Sequence, residues 1–226
     1  MNILEVAQLG TQRSVRNKFC YANPTFGTGI ACNASPTAIA ETEAMLVIDN
    51  SAVYGSGAAT EDVIVVPKRI HLRCTVDGAG ASDFKLQFLL DKINRYSSGG
   101  TELTGNPTFI DTYSGYTAST PVGKVYFGDV TALAASAAKQ VYSIIVKTAA
   151  DPCYTVGDTY IFDIEMGREG ILNPTTTTAT FPFRLPLIHI GRGSSLVVHP
   201  FATGATGAPS FEVEVETIEL FQPRGT

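Results

Sequence analysis

An all-β fold is predicted for this chain: short apolar runs are punctuated by Gly, Pro, Asn and Asp, several runs alternate strictly between apolar and polar residues, and no long helical periodicity interrupts them. Its 226 residues suit one large β-domain plus an arm, and 44% hydrophobic against 16% charged residues supply material for a core. No stretch approaches the roughly 18 apolar residues that a spanning helix needs, so no membrane role is expected. The first residues, MNILEVAQLGTQRSVRNK, do not read as a secretory leader.

Residues 1–42 are polar, rich in Thr, Asn, Ala and Gly, and show neither period, so they are expected to form an extended N-terminal arm. Arg13, Arg16 and Lys18 give that arm a positive bias that suits docking on an acidic neighbour, although a solvated tail explains the same charges. Residues 43–226 form the predicted β-domain, opening with the apolar run AMLVID. Between Asp62 and Val76, a VIVV run precedes Pro67, which marks a break or an edge. Beyond it Ile70, Leu72, Cys74 and Val76 share one face, with Arg69, His71, Arg73 and Thr75 on the other.

Phe84, Leu86, Phe88 and Leu90 repeat the alternation after the turn DGAGAS. The insert over 94–121 is assigned to a long loop on its Gly, Ser and Asn content. Its aromatic residues Tyr96, Phe109, Tyr113 and Tyr116 are interface candidates, favoured for a protein contact over a sugar platform. Strands are predicted at Lys124–Val130, Lys139–Thr148 and Thr159–Met166, with NPTTTTAT as a linker and LAASAAK as a single helical turn. LPLIHI and SLVVHPFA read as strands around a GRGSS turn, placing His189 and His199 across a hairpin.

In the final strand Phe211, Val213 and Val215 face inward, while Glu212, Glu214 and Glu216 form a wet edge that discourages sheet-to-sheet association. A phase slip at Thr217–Ile218 suggests a bulge. About eight strands without βαβ alternation fit a jelly-roll β-sandwich best.

The same residues carry little sign of catalysis. His71, His189 and His199 are not at metal-ligand spacing, no nucleophile elbow is present, and GRGSS lacks the second glycine and Lys-Ser/Thr pair of a phosphate loop. Asp158, Asp163 and Glu165 do not follow a calcium-loop spacing. Neither a metal nor another cofactor is therefore expected, and no residue is assigned a catalytic role. Cys20, Cys32, Cys74 and Cys153 are widely separated and are read as free thiols. A formal charge of −5 disfavours nucleic acid as a partner.

The stretches RNKFCYANPT, ETEAMLVIDNSA, VVPKRIHLRCTV, INRYSSGGTELTGNPT and PLIHIGRGSSLVVHPFATGATGAPSFEVEVETIE resemble structural proteins of tailed bacteriophage virions. The C-terminal signature is carried by Gly191, Gly193, Ser195, Leu196, His199, Phe211, Glu212, Val213 and Glu214. The group usually ends in a tryptophan-containing segment, whereas this chain has no Trp and continues ETIELFQPRGT.

The resemblance implies a non-enzymatic decoration (cement) protein on the outer surface of a phage head, made in the host cytoplasm, trimeric, and bound to the major capsid protein. Its arm would supply the capsid contacts, with Arg13, Arg16, Lys18, Phe19, Tyr21 and Phe26 as candidates. The alternative readings are a tail, baseplate or glycan-binding host-recognition module, and an enzyme on the same scaffold. On the arm reading, removal of residues 2–40 should leave the β-domain folded.

Overall fold

The computed structural model describes residues 18–32, 39–50, 61–78, 84–107, 120–147, 156–157, 159–164, 168–173, 176–181, 187–202 and 208–223. These form thirteen strands: β1 (Lys18–Ala22), β2 (Ile30–Ala31), β3 (Glu43–Asp49), β4 (Glu61–Val76), β5 (Phe84–Asp91), β6 (Tyr96–Pro107), β7 (Lys124–Ala132), β8 (Lys139–Lys147), β9 (Thr159–Asp163), β10 (Arg168–Asn173), β11 (Thr176–Phe181), β12 (Ser195–Ala202) and β13 (Ser210–Pro223). Among the described residues there is no helix, so LAASAAK forms none at 133–139.

All pairings are antiparallel and follow one path, β11-β10-β9-β4-β13-β1-β6-β7-β3-β12-β5-β8, with β2 attached to β13. The path turns at β6, whose first part pairs with β7 and whose last residues, Thr104–Pro107, pair with β1. The β13 half and the β12 half therefore enclose a common core, in a sandwich-like arrangement. Phe88 of β5 meets Phe162 of β9 edge to face across that core at 5.3 Å between ring centroids.

Alternation explains most of the strands. Ile70, Leu72 and Cys74 point inward from β4 opposite Val215, Val213 and Phe211 of β13. In β3 the uninterrupted run Ala44, Met45, Leu46, Val47 and Ile48 is buried on both faces. A second cluster of Ala44, Val47, Tyr126, Val130, Ala132 and Val197 covers its far side.

The expected phase slip is present but falls on the partner strand. Glu216 pairs with Arg69 and Thr217 with Pro67, leaving Lys68 as the extra residue on β4, next to a proline that cannot donate to the ladder. Strand β13 keeps its phase, which turns Thr217 and Glu219 inward as buried polar residues.

Several expectations are corrected. Residues 18–32 do not belong to an arm: β1 lies in the middle of the sheet, bonded to β13 on one side and β6 on the other. Phe19 and Tyr21 are 0% and 1% exposed within the core, which removes them as surface contacts. The insert at 94–121 is not a loop at its start, because Tyr96–Pro107 is strand β6.

Its glycines are packing choices. Gly99 and Gly100, with φ of 73° and 64°, form the irregularity where β6 shifts register against β7, and a Cβ on Gly105 would come 2.6 Å from the Tyr21 ring. The described residues of NPTTTTAT likewise join the sheet, since β10 and β11 pair and β-branched threonine suits a pleated strand. Leu187–His189 form no strand, and Ile190 makes only an isolated bridge to Val65.

Removing residues 2–32 takes away β1 and β2, with Phe19 and Tyr21 from the core. The truncated chain is expected to lose its cooperative thermal transition and dispersed amide spectrum, whereas the arm reading required folding to survive.

Candidate functional site

Three places concentrate polar chemistry: the outward face of β4, β13 and β1, a buried cluster around Arg95, and a buried carboxyl at Glu219. The first is dictated by register. Arg69, His71 and Arg73 on β4 lie opposite Glu216, Glu214 and Glu212 on β13, so basic and acidic side-chain types face each other across the ladder. Glu216 lies 3.0 Å from Lys18 and 3.9 Å from Arg69, and Glu212 lies 3.3 Å from Arg73. These glutamates are therefore not an edge-protecting row, because β13 is a central strand.

Beyond β1 the chain turns through residues 23–28 and is tied to the same face. Asn23 accepts from the Val213 amide at 2.7 Å and donates to the Thr28 carbonyl at 2.8 Å, while the Gly27 amide donates to Glu212. This turn holds Phe26 out into solvent, 94% exposed, at the rim of a cleft of about 250 Å³. Ala22, His71, Arg73, Glu212 and Glu214 line the cleft with it. The Cys20 thiol is pushed up to about 11 by burial and by the neighbouring Glu214 and Glu216 carboxylates. Cys20 and Cys32 are free thiols, and burial raises the Cys32 thiol as well.

The second place is built around Arg95, which is 0% exposed. Its guanidinium donates to the Leu133 carbonyl, to the Glu41 carbonyl at 2.6 Å and to Asp91 at 3.1 Å. Burial alone would raise the Asp91 carboxyl, but amide bonds from Ser136 and Ala137 together with Arg95 hold it below its ordinary value. Asp49 accepts the Arg95 and Tyr96 amides at 3.3 Å each, yet burial outweighs these bonds and raises it to about 6.

Nearby His199 points Nδ1 at the Glu43 carbonyl, so that nitrogen carries the proton, while Nε2 is buried with no partner among the described residues. Burial keeps His199 below its ordinary value. The hairpin expected between His189 and His199 is not formed: β12 pairs with β3 and β5, and His189 is exposed.

The third place follows from the inward turn of Glu219. Its Oε1 accepts the Val122 amide at 2.6 Å and the Gly123 amide at 2.8 Å, just before β7, and the Tyr21 hydroxyl donates to the Gly123 carbonyl at 2.8 Å. Burial pushes the Glu219 carboxyl up to about 7. Asp49 thus grips the chain where β6 begins, and Glu219 grips it where β7 begins.

Of the sequence-derived contact residues, Lys18 and Phe26 lie along one outward face, Phe19 and Tyr21 lie inside, and Tyr96 stacks on Tyr126 with ring centroids 3.5 Å apart. Arg13, Arg16, Phe109, Tyr113, Tyr116, Cys153, Asp158 and Glu165 lie outside the described residues. Among the described residues no group of three His, Cys, Asp or Glu side chains could hold a metal ion. Arg95 and Glu219 were missed by sequence reasoning. The one available signal for Glu219 was its inward parity after Phe211, Val213 and Val215. No protein-family model matches the chain, and no curated protein matches it.

Two outcomes are expected. Arg95→Met should leave Asp91 buried without its cation and cost about 3 kcal/mol in denaturant unfolding. For Glu219 the folded value near 7 exceeds the ordinary 4.5, so the native state binds a proton that the unfolded chain lacks between those values. This contribution is fully present below about 4.5 and is lost as pH rises through about 7. Melting temperature should therefore fall across that window in the wild type, in part through Asp49, and fall less steeply in Glu219→Gln.

Proposed function

We propose that this chain is a structural virion protein, a cement protein that decorates the outer surface of a tailed-phage head and works by mechanical attachment. The observation that carries this reading is the position of β1, a strand bonded along both edges at the centre of the sheet. Residues 1–17, with Arg13 and Arg16, join the domain at that strand. A pull on an attached arm would thus load hydrogen bonds to β13 and β6 and the buried Phe19 and Tyr21 together, rather than peel an edge strand. A protein that reinforces a shell against outward pressure needs its anchor tied to its core in this way.

The domain is read as a jelly-roll variant. In support, β12 from late in the chain inserts between the early strands β3 and β5, and β8 follows at the outer edge. Residues such as Lys18 and Phe26 offer the polar and apolar contacts of a small interface, and repetition over a shell would make many weak contacts effective. Partner and assembly are read as the major capsid protein and a homotrimer.

The test is to add purified protein to capsids lacking it and image them by cryo-electron microscopy. Density at regular positions over the shell is expected, and a chain lacking residues 2–17 should remain folded while its occupancy drops sharply. Binding confined to a vertex or tail would replace this reading with tail or host-recognition function. Undiminished occupancy by the truncated chain would remove the arm from the mechanism.

A further inference from the structure

The outward ladder of β4, β13 and β1 has three rows, and their charge is unevenly completed. In the first, Arg69, Glu216 and Cys20 lie side by side, and Glu216 is paired with both Arg69 and Lys18. In the third, Glu212 is paired with Arg73 and capped by the Gly27 amide. The middle row is His71, Glu214 and Ala22. Among the described ion pairs none gives Glu214 a lysine or arginine, and the nearby Cys20 thiol brings no positive charge. Ala22 is too short to cover the carboxylate, and the cleft opens at this row with the Phe26 ring standing at its rim.

We propose that this cleft is a docking site for a partner protein's cationic side chain, an arginine or lysine on an extended segment, which lies against the Phe26 ring and completes the middle row at Glu214. Charge complementarity selects this occupant. A half-buried carboxylate without a permanent cation sits between two rows that each have one, and an exposed aromatic face beside it attracts the same charge through its quadrupole. Arginine is the better fit, because its planar guanidinium can stack on the ring while donating to a carboxylate. A small volume of about 250 Å³ suits one side chain rather than a folded surface. The site stands apart from the capsid reading: it specifies the chemistry of a contact, and it holds or fails whichever particle supplies the segment.

The experiment is an amide-resolved NMR titration of the full chain with a blocked Gly-Arg-Gly peptide, alongside the same peptide carrying citrulline, which keeps the shape and removes the charge. Saturable shifts centred on Phe26, Gly27 and Glu214 are expected with arginine, weakened by added salt and at least about threefold weaker with citrulline. Glu214→Gln and Phe26→Ala should each weaken the arginine response about three- to fivefold, while amide dispersion elsewhere stays unchanged. Equal responses to the two peptides, shifts centred elsewhere on the surface, or no saturable response would overturn the proposal using the wild-type chain alone. Empty capsids in the imaging experiment would leave these outcomes untouched, so the two readings fail separately.

Discussion

The pairing of β13 with β4 is the constraint on which the rest of the molecule depends. It runs from Ser210 opposite Val76 to Pro223 opposite Glu61, and it gives the sheet an apolar inner face and a charged outer one. On the inside, Phe211, Val213 and Val215 join Ile70, Leu72 and Cys74 in the common core. On the outside, Arg69 and Arg73 meet Glu216 and Glu212, with His71 opposite Glu214 in the row between them, where like charges directly across would be destabilising. The far edge of β13 then receives β1, which brings in Phe19 and Tyr21 and, through β6, connects to the second half of the sheet.

One irregularity in that pairing has effects well beyond itself. Because the extra residue is Lys68 on β4, both Ile70 and Val65 reach the core although their spacing is odd. The unbroken phase of β13 drives a carboxylate inward at Glu219, where two amides receive it. A buried carboxyl with amide donors costs desolvation and returns geometric definition: it locates the chain entering β7. Asp49 does the same where the chain enters β6, and Arg95 with Asp91 ties the segments at Glu41, Leu133 and Ser136 together. These polar groups secure connections between strands, which makes them part of the architecture that presents the outer face.

Much of this was legible from residue order, and where it was not, the reason is physical. Alternation located β4 beyond Pro67, β5 and β13, because a period of two survives wherever one face is buried. It also placed Arg69, His71 and Arg73 on one face and Glu212, Glu214 and Glu216 on another. Composition misled for β6 and β11. Gly105 permits the close approach of Tyr21, and the threonine-rich β11 pairs with β10, so residue types that usually mark loops here belong to strands.

The sequence by itself determined that the chain is all-β, that its strands have apolar and charged faces, and that its charged residues alternate. Only the tertiary structure decided which of those faces meet. Whether the glutamates of β13 protect an edge or complete ion pairs depends on what lies beside the strand, and hydrogen bonding between strands distant in sequence leaves no local periodic trace. For the same reason Phe19 and Tyr21, which read as part of an arm, became core residues once β13 and β6 closed around them, while Phe26, a few residues later, was left in solvent.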